Sequence, residues 1–164
     1  MSAEEVIDLV DRQDIIIGES TRKTANKNPD LIHREVAVII YDDKGRVLFQ
    51  QRSKNKSVHP LFWTVSAAGW VPKGEELEKT AHRELKEELG FDTKLEFIDK
   101  SFWRQENQSQ FYYLYKGRYA GEKITPDPGE LEDIKWVTKE EAQVMVKRGE
   151  KVGESSIELL KRFW

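Results

Sequence analysis

Apolar residues recur along the chain in two patterns, one typical of strands and one typical of helices. The strand pattern comes first along the chain. β-Branched runs at residues 6–10 and 15–17 flank the polar turn at 11–14, which predicts an N-terminal hairpin at about residues 5–18. An apolar run at 36–41, the turn Asp42 to Gly45 and a run from Val47 predict a second hairpin, buried on both faces. Further strands are expected at 94–104, 111–119 and 134–137.

The helical spacing is clearest between Glu76 and Leu89, where Gly90 provides a stop. The apolar residues four apart on this helix are Leu77, Ala81, Leu85 and Leu89. Thr138 with the following acidic pair predicts a helix through about Lys147, and residues 155–163 predict a terminal helix.

Composition narrows the class of protein. The 164 residues fit one domain, 1–164, and 38% apolar with 35% charged residues is typical of a globular chain. The formal charge of −3 argues against a nucleic acid polymer as partner. No apolar run approaches the roughly 20 residues that span a bilayer, and the acidic N-terminal segment is unlike a signal peptide, so no membrane partner and a cytoplasmic location are expected. The absence of cysteine excludes disulfides and thiolate chemistry.

The most informative segment is a glycine-bounded loop that leads into an acidic helix. On a helical wheel Glu84 and Glu88 lie about 40° apart, with Glu87 on the same side. A solvated acidic face is the ordinary interpretation of such a run. However, the apolar stripe lies only about 40° from Glu88, and two like charges four residues apart repel each other unless a cation joins them.

Carboxylate oxygens favour a hard ion, so Mg²⁺, with Mn²⁺ as a substitute, fits this helix better than Zn²⁺. Arg83 can reach Glu87 and Glu75, which predicts that it orients these carboxylates; an ordinary helical ion pair is the alternative. Gly69 and Gly74 bound the loop where backbone must approach a metal or a phosphate closely.

These residues resemble the Nudix box, Gly-x5-Glu-x7-Arg-Glu-U-x-Glu-Glu-x-Gly-U with U apolar, at every specified position from Gly69 to Phe91. The resemblance implies an α/β fold, the α/β/α Nudix sandwich around a mixed β-sheet, in which the box (residues 69–91) holds Mg²⁺ against a diphosphate. The ligands it implies are Glu84, Glu87, Glu88 and the Gly69 carbonyl, with Glu75 and Arg83 as orienting residues. The implied substrate is a small-molecule diphosphate, such as a nucleoside diphosphate linked to another group, and a homodimer is left open.

Outside the box, the early hairpin, residues 31–34, 50–53 and 59–69 resemble the branch related to isopentenyl diphosphate isomerase. That branch contains isomerases and hydrolases. Ala68 stands where the isomerase pattern has a catalytic cysteine, Trp70 and Asn26 stand at histidine positions, and only His33 is retained. Loss of the thiol removes one of the two proton-transfer groups that isomerisation needs, so hydrolysis is favoured. The isomerase is the alternative, and a non-catalytic diphosphate-binding module is a third.

Four residues outside the carboxylate helix complete the predicted site. Glu130 is the first choice for a general base, although acidic residues after a Pro-rich turn are also common in exposed loops. Arg52 and Lys56 resemble positions that hold the diphosphate, with surface solubility as the alternative. Trp70 is expected at the mouth of the site, where it would stack on substrate or serve packing.

Overall fold

The structure is a computed structural model that describes Ser2 and residues 4–164; Met1 and Ala3, which the predicted domain includes, lie outside the described residues. The described part of the chain contains nine strands and four helices. In chain order they are β1 (Val6–Val10), β2 (Ile16–Thr21), α1 (Arg22–Ala25), β3 (Ile32–Tyr41), β4 (Val47–Arg52), β5 (Trp63–Thr64), β6 (Ala67–Trp70), α2 (Leu77–Leu89), β7 (Leu95–Arg104), β8 (Ser109–Arg118), β9 (Leu131–Val137), α3 (Lys139–Lys147) and α4 (Glu154–Leu160).

Strand β3 lies at the centre of a mixed sheet. It pairs in parallel with β8 along its whole length and antiparallel with β6, and its first residue pairs with β1. Strand β8 continues to β7, and β4 carries β5 and β9, all in antiparallel pairs. The predicted mixed sheet is therefore confirmed.

The second predicted hairpin forms only next to its turn, and both strands are buried as expected. The turn forms, because the Asp42 carboxylate accepts hydrogen bonds from the backbone N–H groups of Lys44 and Arg46. Beyond it, β3 and β4 pair only at Tyr41 and Val47. Elsewhere β3 pairs with β1, β6 and β8, and β4 pairs with β5 and β9, so the edges of both strands are satisfied by other segments.

Helices cover both faces of the sheet. On one face, Leu85 of α2 shares a buried cluster with Val38 of β3. On the other face, Met145 of α3 and Leu159 of α4 share a cluster with Phe49 of β4. This is the α/β/α sandwich that the sequence predicted.

The remaining elements differ from the sequence predictions mainly in length. The N-terminal hairpin is confirmed, with β2 extending to Thr21. Helix α3 begins with the expected capping box, in which Thr138 and Glu141 exchange hydrogen bonds. Helix α4 is shorter than predicted, and α1, β5 and β6 were not predicted. Among the described helices, none is both long and apolar enough to cross a membrane.

The C-terminal end of α2 anchors a distant segment. Gly90 adopts the left-handed conformation with φ 74° and ends the helix as predicted. The Thr125 N–H donates to the Leu89 carbonyl at 2.8 Å, and the Asp127 N–H donates to the Glu88 carbonyl at 2.9 Å. The segment that carries Glu130 is thereby fixed beside the helix.

We expect Gly90→Ala to destabilise the protein more than Gly45→Ala does. Both glycines have φ 74°, so each alanine incurs left-handed strain of about 1–2 kcal/mol. A Cβ at residue 90 would also lie 2.7 Å from the Thr125 carbonyl oxygen, whereas a Cβ at residue 45 meets nothing within 4 Å. Urea unfolding should show an extra loss of at least about 1 kcal/mol for Gly90→Ala; equal losses would contradict the close approach of the 125–127 segment.

Candidate active site

Of the three box carboxylates that lie on α2, two are buried against the sheet. Glu84 is 6% exposed and Glu88 is 8% exposed, on the side of α2 that also buries Leu85. The side chain of Glu87 is 52% exposed. This burial confirms the inference that Glu88 points towards the sheet. Buried carboxylates are rare unless they have partners.

The Glu88 carboxylate is held by groups from two strands. Gln50 Nε2 of β4 donates to Glu88 Oε2 at 2.7 Å, and the backbone N–H of Ala68 in β6 donates to the same oxygen at 3.2 Å. Burial, and then the charge of Glu84, raise the pKa of Glu88 to about 8 against the effect of these two hydrogen bonds. Without a further positive partner, the carboxylate is poorly compensated.

Glu84 depends on a close approach to Gly69. A Cβ at residue 69 would lie 2.3 Å from the Glu84 carboxyl carbon, so only glycine leaves room for this side chain. Burial raises the pKa of Glu84 to about 7, while the Arg83 charge lowers it and the Glu87 charge raises it. The box glycine therefore creates the space in which one box carboxylate lies.

Arg83 connects the loop before the helix to the carboxylates on it. Its Nε donates to Glu75 at 3.0 Å, and its Nη1 donates to Glu84 at 3.1 Å and to both Glu87 oxygens at 3.1 and 3.2 Å. The Thr80 hydroxyl donates to the same Glu75 oxygen at 2.8 Å. This geometry fits the orienting role predicted for Glu75 and Arg83.

The donor set fits a hard divalent cation, with Glu84 and Glu87 joined through Arg83 Nη1. Among the described residues, no three His, Cys, Asp or Glu side chains are already grouped as a metal site. Glu87 pairs with Arg83 on the exposed side of the helix. Glu84 and Glu88 supply buried carboxylate oxygens whose mutual repulsion a cation would reverse. The ligand roles of Glu87 and of the Gly69 carbonyl remain predictions.

Glu130 and Lys56 were predicted separately, and the structure brings them together. Lys56 Nζ forms an ion pair with the Glu130 carboxylate. The Glu130 carbonyl accepts the Ser53 N–H at 2.9 Å, which ties the two segments at the backbone. Glu130 is also near enough to Glu88 that its charge contributes to the raised pKa of Glu88. The role of Glu130 as a general base stays a prediction.

Trp70 is buried, and Arg52 is half-buried and hydrogen-bonded to its own loop. Arg52 Nε donates to the Val58 carbonyl at 3.0 Å. Trp70 is 7% exposed and stacks on His33, with ring centroids 3.5 Å apart and planes 7° apart. It also shares a buried cluster with Ile7. These contacts match the alternative packing role of Trp70, and substrate contacts for either residue stay predictions.

The sequence interpretation missed Gln50 as a site residue. It is 4% exposed, and its amide bridges Glu88 and the Ser66 carbonyl, the latter at 3.0 Å. The only signal in the sequence was an amide residue directly after the apolar run Val47 to Phe49. A buried polar side chain needs a hydrogen-bond partner, but the sequence does not say which one.

An α/β/α sandwich whose glycine-led box buries two carboxylates against the sheet defines a Nudix-type hydrolase of pyrophosphate-containing compounds. The family model described as the NUDIX domain matches residues 31–160, and the chain belongs to this family.

Its relatives carry two kinds of name. The chain is 32% identical over 139 residues to "Isopentenyl-diphosphate Delta-isomerase 2" of Photorhabdus laumondii. This alignment covers 82% of this chain and 77% of the relative. It is 33% identical over 141 residues to "Uncharacterized Nudix hydrolase lin0387" of Listeria innocua, covering 80% and 81% of the two chains. The crystal structure of DR0079 from Deinococcus radiodurans matches with a TM-score of 0.84 and 25% identity, covering 98% of this chain and 99% of the other.

We expect Gly69→Ala to impair catalysis with little loss of stability. The added Cβ would displace the carboxyl end of Glu84, which is the flexible end of that side chain. For a diphosphate substrate, kcat/KM should fall at least about 10-fold, because small displacements of a reacting group are costly. Gly18→Ala is the matched control, since its Cβ meets nothing within 4 Å. Normal turnover by Gly69→Ala would show that the position of Glu84 is not required.

Proposed function

We propose that this chain is a Mg²⁺-dependent hydrolase, with Mn²⁺ as a substitute, that cleaves a diphosphate linkage in a small phosphorylated metabolite. The proposed substrate is a nucleoside diphosphate linked to another group, or a related diphosphate. The observation that carries the proposal is the buried pair Glu84 and Glu88, in which the charge of Glu84 helps to raise the pKa of Glu88. Such a pair is unfavourable alone and favourable around a cation.

The chain offers oxygen donors for the ion. Glu84, Glu87, Glu88 and the Gly69 carbonyl would hold it, and carboxylate oxygens prefer Mg²⁺ or Mn²⁺ to Zn²⁺. The chemistry that the ion supplies when bound is neutralisation of the diphosphate charge and activation of water. Arg83 keeps Glu84 and Glu87 in place through its Nη1 hydrogen bonds.

Glu130 is the proposed general base. The proposal is supported by the charge of Glu130, which contributes to the raised pKa of Glu88, and by the ion pair that Lys56 forms with its carboxylate. Proton transfer from the attacking water to a Glu130 oxygen would let the water oxygen bond to one phosphorus while the bridging P–O bond breaks and the other phosphate-bearing product leaves. Lys56 and Arg52 are the proposed contacts to the diphosphate, and Lys56 can exchange its Glu130 partner for a phosphate oxygen because both are anionic.

A second candidate function, isomerisation of isopentenyl diphosphate, is favoured by the names of several relatives. Against it stand Ala68, which has no acidic proton, and Trp70, which occupies a histidine position and stacks on His33. An isomerase must add a proton on one face of the allylic system and remove one from the other. The site therefore supports hydrolysis better.

We expect activity to be lost in excess chelator and to return with Mg²⁺ or Mn²⁺.

We also expect Glu88→Gln to lower turnover at least about 10²-fold. The variant should fold normally, because its amide oxygen can still accept from Gln50 and Ala68. Glu78→Gln is the control, since it makes the same charge change on an exposed part of α2.

These measurements use released phosphate and phosphomonoester from a panel of diphosphate compounds. Full turnover in excess chelator would exclude the metal-dependent mechanism. A normal rate for Glu88→Gln would make its burial purely structural.

The isomerase alternative is tested with isopentenyl diphosphate in deuterated water. We expect no dimethylallyl product and no deuterium at the allylic carbon, while phosphate release from another diphosphate stays measurable. Proton exchange is detected even when net conversion is slow, so the test does not depend on the equilibrium. Deuterium incorporation would support an isomerase and move the catalytic assignment towards His33 and Glu130.

A further inference from the structure

The N-terminal hairpin, β1 and β2, closes on the loop that precedes the carboxylate helix. The Val6 carbonyl accepts the Lys73 N–H at 2.9 Å, and the Asp8 carboxylate accepts the Gly74 N–H at 3.1 Å. Lys73 also forms an ion pair with Glu19 of β2. The hairpin precedes residue 31, where the family match begins, so these contacts are made by a part of the chain outside the matched domain.

An open cavity of about 510 Å³ lies between this hairpin, the loop and α2. Glu5 and Val6 line it from the hairpin, Lys73 from the loop, and Arg83 and Glu87 from α2. The cavity therefore adjoins the box carboxylates, and a group attached to a diphosphate bound at the box can extend into it.

The backbone holds Glu5 firmly at the edge of this cavity. The Glu5 N–H donates to the Ser2 carbonyl at 3.2 Å, and the Glu5 carbonyl accepts the Arg22 N–H at 3.0 Å. Its position directly before β1 is therefore fixed by backbone hydrogen bonds on both sides. The side chain has no comparable restraint from the described residues.

Most charged groups around the cavity already have partners, but two polar atoms do not. Lys73 pairs with Glu19, and Glu87 pairs with Arg83. Glu5 Oε2 and Arg83 Nη2 are buried and have no hydrogen-bond partner in the described part of the chain. Buried polar atoms without partners are unfavourable, and their occurrence beside a cavity indicates groups that a ligand would satisfy.

The two atoms require different partners. Arg83 Nη2 can only donate, which suits a phosphate oxygen, whereas an ionised Glu5 carboxylate can only accept, which suits a hydroxyl group. Among the described residues, the cavity lining carries three carboxylates, at residues 5, 75 and 87, and two cations, at residues 73 and 83, each of which already has an acidic partner. An additional phosphate next to Glu5 would meet an excess of negative charge, and a hydroxyl group would not.

We propose that Glu5 is a specificity-determining residue of this active site, which accepts a hydrogen bond from a hydroxyl-bearing group attached to the diphosphate and disfavours an additional phosphate in its place. The proposal rests on the proposed function, because it assumes that a diphosphate binds at the box. It assigns the choice of attached group to the hairpin and leaves the chemistry to α2.

The test compares UDP-glucose with UTP, which share a nucleoside and differ in bearing a glucosyl group or a phosphate beyond the diphosphate. The kcat/KM of each is measured with Mg²⁺, and the Kd of each is measured by calorimetry with Ca²⁺, for the wild type, Glu5→Gln and Glu5→Asp. Glu4→Gln is the matched control, since Glu4 is the exposed neighbour and makes the same charge change.

We expect the wild type to prefer UDP-glucose, and Glu5→Gln to reduce that preference at least about 10-fold, because a neutral amide tolerates a phosphate. Glu5→Asp should keep part of the preference, and Glu4→Gln should keep all of it. An unchanged ratio in Glu5→Gln would overturn the proposal. A greater requirement for Mg²⁺ at an unchanged ratio would also overturn it, because Glu5 would then act on the metal.

The two proposals fail in different ways. If no diphosphate is hydrolysed but the ratio of the two Kd values changes in Glu5→Gln, the hydrolase assignment fails and the role of Glu5 in selection stands. If hydrolysis is normal and both ratios are insensitive to Glu5, the hydrolase assignment stands and the role of Glu5 fails.

Discussion

The burial of the Glu88 carboxylate is the constraint on which the rest of the active site depends. Moving a charged group out of water is strongly unfavourable unless it is paired and hydrogen-bonded. Gln50 and the Ala68 N–H both donate to it, yet the pKa of Glu88 remains raised to about 8. The protein alone therefore stabilises the charged form incompletely. A cation between Glu84 and Glu88 is the partner that would complete the compensation.

This constraint explains why three separate elements meet at one point. Strand β4 supplies the amide of Gln50, and α2 supplies the carboxylates. Strand β6 supplies a backbone N–H and, because Gly69 has no Cβ, the space for Glu84. The end of α2 then fixes the segment leading to Glu130 through the Leu89 and Glu88 carbonyls. Each element is held by the sheet or by the helix backbone, so the polar groups are placed before any ligand arrives.

How much the sequence could predict follows from the range of the interactions involved. Helix α2, its stop at Gly90 and the burial of Glu88 follow from local spacing, because apolar periodicity determines which face meets the sheet. The pairing of β3 could not be predicted locally, since its partners lie in β6 and β8. The same holds for the contact of Gln50 with Glu88, 38 residues apart, and of Asp8 with Gly74, 66 residues apart.

Trp70 shows a different limit of sequence interpretation. Its position in the chain, one residue after the box glycine, places it beside the site, and the aromatic ring fits either a ligand or a core. Stacking on His33 and packing with Ile7 of the hairpin settle its surroundings as those of a packed side chain. A residue that replaces histidine in the isomerase pattern therefore serves here to join the hairpin to the sheet.

That connection separates the two tasks of the site. The carboxylates and their supports lie within residues 31–160, which match the NUDIX domain, whereas the hairpin that borders the cavity precedes them. Changes in the hairpin can alter the cavity beside Arg83 without altering the hydrogen bonds that hold Glu88. On the role proposed for Glu5, the chemistry and the choice of attached group can therefore change separately, because they depend on different parts of the chain.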